Sequence, residues 1–195
     1  MMDRPLILAL DSTGPYCAAA LLSGDKILAH SVEEMKKGQA ERLMSLIEEL
    51  LENNAVTLND LDALAVGTGP GNFTGIRIGV SAARGLALGL GIPAYGINGF
   101  EQRGFLAPSQ SVHSIPAPRD HRYVFDADGA SLISPEAFES KGYSIQPEPT
   151  PDALITSIAG VAGSRFPAPA QAPAPYYLKA PDAAPSKIAA PTILS

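Results

Sequence analysis

The chain has 195 residues, 46% of them hydrophobic and 17% charged, enough to bury a core as one domain or as two small lobes. A net charge of −6 and a pI near 5.0 weigh against a free-standing nucleic-acid binder, which carries a basic face. The single cysteine, Cys17, excludes an internal disulfide and a cysteine-cluster metal site, and reads as a small buried hydrophobe.

Leu6–Leu10 is a short apolar run that ends at Asp11, too short for the core of a secretory signal, and it reads as a buried strand. Ala18–Leu22 and Ile27–Ser31 follow as strands, joined through the hairpin-turn residues Ser23-Gly24-Asp25-Lys26. Leu43, Leu46, Ile47, Leu50 and Leu51 then recur at the spacing of one helical face, and the expected helix is Gln39–Asn53. Ala63–Val66 is a fourth strand, Gly75–Leu90 a second helix, and Ala94–Ile97 a fifth strand. The order β-β-β-α-β-α-β is that of a ribonuclease-H-like or actin-like (ASKHA) lobe, an α/β fold with a mixed five-stranded sheet.

Composition changes near Phe100. Residues 1–100 hold 13 of the 18 glycines, and residues 101–195 hold 14 of the 18 prolines. The expected organisation is an N-terminal lobe over 1–100 and a reduced C-terminal lobe over 101–195. In the latter, Arg122–Phe125 reads as a strand, Asp152–Ile158 as a short helix and Val161–Gly163 as a strand end. The Ala/Pro-rich stretch after Phe166 favours extended chain, with order expected where Tyr176-Tyr177-Leu178 docks. No run approaches the ~18 apolar residues of a membrane span, so the expected compartment is the cytoplasm, without a membrane partner.

Two places carry candidate chemistry. Asp11-Ser12-Thr13-Gly14 ends the first strand with a carboxylate, two hydroxyls and a glycine, as actin-like nucleotide sites begin; the same residues also make a side-chain-bonded turn. The run Gly67-Thr68-Gly69-Pro70-Gly71-Asn72-Phe73-Thr74-Gly75 is a glycine-dense turn opening a helix. Such a turn either cradles a phosphate on free helix N–H groups or shapes a close-packed contact. It lacks the Lys-Ser/Thr ending of a P-loop, while Asn72 and Thr74 are suited to capping. Asp11, Ser12, Thr13, Gly69, Gly71 and Thr74 are therefore the candidate phosphate contacts, and an ATPase or small-molecule kinase built on Asp11 and the Gly69–Gly75 loop is the enzymatic alternative.

Gly75, Gly79, Ala82, Ala83, Gly85 and Gly89 make the second helix poor in side chains, which suits close helix approach. Arg77, Ser81, Arg84 and Leu88 form a separate stripe on it. His30, His113 and His121 lack the spacing of a helical metal pair, and no serine-hydrolase elbow precedes a helix. No catalytic or metal residue is assigned.

These residues resemble the signature of the TsaB family, the bacterial tRNA threonylcarbamoyladenosine biosynthesis proteins with a glycoprotease-like, M22-type label. The resemblance rests on Gly69–Gly79, continued by Ala83-Arg84-Gly85-Leu86-Ala87-Leu88-Gly89, and on the Asp11-Ser12-Thr13 turn. Weaker similarity lies in Ala117–Val124 and Pro175-Tyr176-Tyr177-Leu178-Lys179. It implies a non-catalytic actin-like subunit that supports the catalytic partner TsaD, with the ATPase TsaE joining them, in making N6-threonylcarbamoyladenosine at position 37 of tRNAs reading ANN codons. It further implies a partner interface, also used in a homodimer, on the two helices; Leu43, Leu46, Ile47, Leu50, Gly75, Gly79, Ala82, Ala83 and Leu86 are its candidates. No cofactor is expected in the isolated chain; ATP and metal belong to the partners, and tRNA is met only through the complex. Catalytic relatives carry a His-x-Glu-x-His pair after the third strand, where this chain has Gln39-Ala40-Glu41-Arg42-Leu43.

Overall fold

Leu8 and Leu10 of the first strand point to one side of the sheet and Ile7 and Ala9 to the other, and all four are fully buried. A strand that is apolar on both faces needs cover on both, and the architecture follows from that. The computed structural model describes residues 4–178. Its elements are β1 (Leu6–Asp11), β2 (Tyr16–Ser23), β3 (Lys26–Glu34), α1 (Gln39–Asn53), β4 (Ala63–Gly67), α2 (Phe73–Leu90) and β5 (Ala94–Ile97). After these come α3 (Gly99–Leu106), β6 (His113–Pro116), β7 (Arg122–Asp126), β8 (Gly129–Ile133), α4 (Pro135–Ser140) and α5 (Pro151–Arg165).

The first five strands form one mixed sheet in the order β3-β2-β1-β4-β5. β1 and β2 pair antiparallel, as do β2 and β3, whereas β1, β4 and β5 run parallel through crossovers containing α1 and α2. This is the expected ribonuclease-H-like, actin-like sheet. α1 and α2 cover one face, where Leu43, Leu46, Ile47, Ile76, Val80 and Ala83 meet Leu8, Leu10, Leu21, Leu64 and Val66. The other face is covered by α5, whose Ile155, Ile158, Ala159 and Ala162 meet Ile7, Ala9, Ala18, Ala20 and Ala65.

α5 corrects the sequence reading of a short helix followed by a strand end at Val161–Gly163. Thr150 caps it through Ala153 N–H at 3.2 Å and Pro151 occupies its first turn. Gly160 and Gly163 resemble breakers, yet they are packing sites. A Cβ on Gly160 would stand 2.5 Å from the Phe105 ring, and one on Gly163 would stand 2.6 Å from Leu22. Residues 151–165 thus return to the N-terminal sheet.

β6, β7 and β8 make a separate three-stranded antiparallel meander. β7 matches the expected strand, while α3, β6, β8 and α4 were not anticipated. Its core is small: Phe100, Ile115 and Tyr123, with Leu132, Tyr176 and Leu178 packed on them. Tyr176 N–H donates to the Thr68 carbonyl at 2.8 Å, and Tyr177 stacks on Phe73 with ring centroids 5.0 Å apart. The expected docking point of the late chain is thus occupied by Tyr176-Tyr177-Leu178; Lys179 and the residues after it lie outside the described residues. Among the described residues no helix is long and apolar enough to cross a membrane.

Candidate functional site

β1 and β4 are parallel neighbours, so the loops at their carboxyl ends lie side by side. In open α/β sheets this is where ligands bind. The Asp11 turn and the glycine run are consequently one site.

They are joined without intervening space. A Cβ on Gly75 would collide with the Ser12 carbonyl oxygen, and one on Gly71 would stand 2.5 Å from that of Thr13. Glycine is required at both because another backbone occupies the position of the side chain. Asn72 N–H donates to the Thr13 carbonyl at 2.8 Å, and Ser12 Oγ donates to the Gly75 carbonyl at 2.8 Å. Asn72 Oδ1 in turn accepts from the N–H groups of Thr74 and Gly75, both at 3.0 Å, and so caps α2.

Asp11 is fully buried. Thr13 N–H donates to its Oδ1 at 2.9 Å and the Tyr16 hydroxyl to its Oδ2 at 2.8 Å. Burial pushes its carboxyl above the ordinary range, against the opposing pull of those bonds. Tyr16 is raised as well, first by its own burial and then by the Asp11 charge. Both carboxylate oxygens are engaged inside the protein, and the Thr74, Gly75 and Ile76 N–H groups in the first turn of α2 are bonded to Asn72. The residues present do not fit a magnesium–nucleotide held by Asp11 and the start of α2. Of the other candidate contacts, Ser12 and Gly69 are buried, whereas Gly71 and Thr74 are exposed. Among the described residues, no three His, Cys, Asp or Glu side chains gather as metal ligands.

Beside this junction lies a cavity of about 500 Å3 between the two sheets, bordered by Thr13, Tyr16, Gly71, Asn72, Arg103 and Tyr123. Asp11 does not border it. Tyr16, Arg103 and Tyr123 were not found from the sequence: no local pattern marks Tyr16 as a partner of Asp11, and Arg103 lies on α3. The signal for α3 was Asn98 followed by Glu101, a capping pair in which Asn98 Oδ1 accepts from Phe100 and Glu101 N–H.

The candidate interface residues divide by burial. Leu43, Leu46, Ile47 and Leu50 are 1%, 1%, 0% and 6% exposed and lie on their own sheet, as do Gly75, Gly79 and Ala83. They have no surface to give to a partner, because the continuously apolar strands beneath claim that face. Ala82 and Leu86 are partly buried. The outward faces are Glu41, Met44, Glu48, Glu49 and Glu52 on α1, and Arg77, Ser81, Arg84, Gly85, Leu88 and Gly89 on α2. Leu88 is 86% exposed, and nothing stands within 4 Å of a Cβ built on Gly85 or Gly89. The stripe separated from the small residues by sequence is the one that meets solvent.

A mixed five-stranded sheet with two crossover helices on one face and α5 on the other defines an actin-like lobe. A solved Pseudomonas aeruginosa protein, described as similar to the peptidase YeaZ, shares the fold with a TM-score of 0.68 at 24% identity, covering 90% of this chain and 100% of that one. The family model for TsaD, tRNA N6-adenosine threonylcarbamoyltransferase, matches residues 26–105. The tRNA threonylcarbamoyladenosine biosynthesis protein TsaB of Haemophilus influenzae is 41% identical over 98 residues, 50% of this chain and 41% of that protein. An uncharacterized Mycobacterium tuberculosis protein is 30% identical over 201 residues, 92% of this chain and 94% of that one. The chain is similar to TsaB proteins over about half of its length. Its match to the Haemophilus influenzae and Escherichia coli TsaB proteins spans 41% and 39% of their lengths.

Proposed function

We propose that this chain is a non-catalytic subunit in the formation of N6-threonylcarbamoyladenosine at position 37 of tRNAs that read ANN codons. It acts by pairing with a catalytic TsaD-type partner, which TsaE joins; ATP and metal belong to those partners. Alone, the chain pairs with a second copy through the same outer helical layer. The observation that carries this reading is the closed junction at β1 and β4, where Asp11, Ser12 and Asn72 bond within the protein. A net charge of −6 suits a subunit that meets tRNA through its complex, and the cytoplasm is its place of work.

Co-elution of the chain with TsaD tests it. A joint peak is expected, and separate elution at micromolar concentration, with and without ATP, contradicts it. An ATPase or kinase reading has the cavity of about 500 Å3 beside the glycine run as its space for a nucleotide, although Asp11, which that reading uses, does not border it. It requires the isolated chain to bind Mg-ATP and Asp11→Ala to abolish that binding. Absence of heat in a calorimetric titration removes it.

A further inference from the structure

Arg103 and Arg122 come from different elements, α3 and β7, yet both guanidinium groups reach one carboxylate. Arg103 Nη2 donates to Glu148 Oε2 and Arg122 Nη2 to Glu148 Oε1, each at 2.7 Å. The arginine side chains are 12% and 13% exposed, and Glu148 is 40% exposed. The cations are therefore the built part of the cluster, and the carboxylate is the part that faces water. Arg122 Nε also donates to Ser114 Oγ at 3.0 Å, and Arg103 Nη1 to the Gly99 carbonyl at 3.3 Å, which fixes both planes.

Two cations share one anion here, so these three groups keep a surplus positive charge in a partly desolvated place. Planar guanidinium groups converging on one point are suited to phosphate or carboxylate. Glu148 arrives on Ser144–Pro149, a segment outside every helix and strand, and Pro147 and Pro149 flank it without N–H donors. Arg103 borders the cavity between the sheets and also a second one of about 360 Å3, lined by His113, Gln146 and Glu148. An oxyanion thus has a path to the Arg103 side chain from either cavity. His113 lies below its ordinary range, first through burial and then through the Arg103 charge, so it adds no third cation at neutral pH.

We propose that Arg103 and Arg122 form a binding site for a phosphate-class oxyanion, in which the chain's own Glu148 is a tethered occupant that an external dianion displaces. The site is independent of the tRNA-modification reading. A tethered group competes at millimolar effective concentration, so phosphate enters the native protein weakly and enters a variant lacking the carboxylate more readily.

The test is calorimetric titration with inorganic phosphate at constant ionic strength, on the native chain, on Glu148→Gln, and on Glu148→Gln combined with Arg103→Gln. Glu148→Gln is expected to bind phosphate about tenfold more tightly than the native chain or better, and Arg103→Gln is expected to remove the gain. Equal affinity in all three, or a gain that survives the loss of Arg103, overturns the proposal. If Glu148→Gln does not fold, hydrogen exchange of the native chain decides. The Gln146 and Glu148 amides should exchange faster in phosphate than in chloride of equal ionic strength, and unchanged rates overturn the proposal.

Discussion

The two sheets of this molecule are held by different means. The five-stranded sheet is buried on both faces, and its layers meet through aliphatic side chains such as Ile47 and Leu64 on one side and Ile7 and Ile158 on the other. The three-stranded sheet has a smaller core: Phe100, Ile115 and Tyr123 cluster together, and Val124 and Phe138 are buried besides. Polar links hold its surroundings instead: Glu148 with Arg103 and Arg122, Arg165 with Glu101, and Asp126 with Tyr143 and Lys141. Hydrophobic burial is non-directional and resists salt, whereas exposed ion pairs contribute little and are screened. The large sheet is thus the rigid frame, and the small sheet a partner fastened to it. The lesson is that cavity and clasp lie along the seam where one kind of cohesion gives way to the other.

The largest effect expected is from removing α5. A chain ending at residue 150 uncovers Ile7, Ala9, Ala18, Ala20 and Ala65 and should lose its cooperative urea transition, as should residues 1–100 alone. A sharp transition in either fragment would mean that the frame stands without the back half. Next, Ile47→Ala should cost about 2–5 kcal/mol in urea denaturation, because it empties a fully buried site. Leu88→Ala, on the exposed face of α2, should stay within about 0.5 kcal/mol of the native chain while weakening capture of the partner. Equal losses in the two variants would erase the distinction between inner and outer helix faces.

Two glycines of α2 sharpen the same contrast. Gly75→Ala drives a Cβ into the Ser12 backbone and should destabilise by about 1–3 kcal/mol or more. Gly85→Ala meets open space and should stabilise by up to about 1 kcal/mol through helix propensity. Thermal melts of both variants would expose a wrong assignment if the signs agreed.

The smallest effect concerns Asp11. Its carboxyl lies above the ordinary carboxylate range in the folded protein, chiefly because it is buried. A raised folded value means that the contribution is present below the unfolded pKa and is lost as pH rises through the folded one. Asp11→Asn removes that loss, so native minus variant stability should fall as pH rises above the ordinary carboxylate range. Carboxylates such as Glu33 and Asp126, lowered by hydrogen bonds from Arg42 and Tyr143, slope the other way but cancel in the difference. A flat difference would mean that the hydrogen bonds to Asp11 offset its burial in full.

Much of the frame was legible because its signals are local. Alternating turns and apolar runs mark β1 to β5, and a spacing of three and four marks α1. The back half was harder to read. β6 and β8 are four and five residues long, too short to show a period, and α5 hides behind Gly160 and Gly163. Their reason for being glycine is a ring of α3 and a leucine of β2, contacts that no sequence window contains. The continuously apolar β1 did call for a second covering layer, and α5 is that layer. At the site, Asp11 and the glycine run were visible as separate features; the pairing of β1 with β4 merges them. An apolar stripe such as Leu43–Leu50 is compatible with its own sheet or another subunit, and burial on the sheet decides for the first.

The proposal to be tested is that this chain works through a partner and performs no chemistry alone. Size-exclusion chromatography of the chain mixed with its TsaD partner, at micromolar concentration and with and without ATP, tests it most directly. The account predicts one joint peak that Leu88→Ala diminishes. Two separate peaks under both conditions would contradict it.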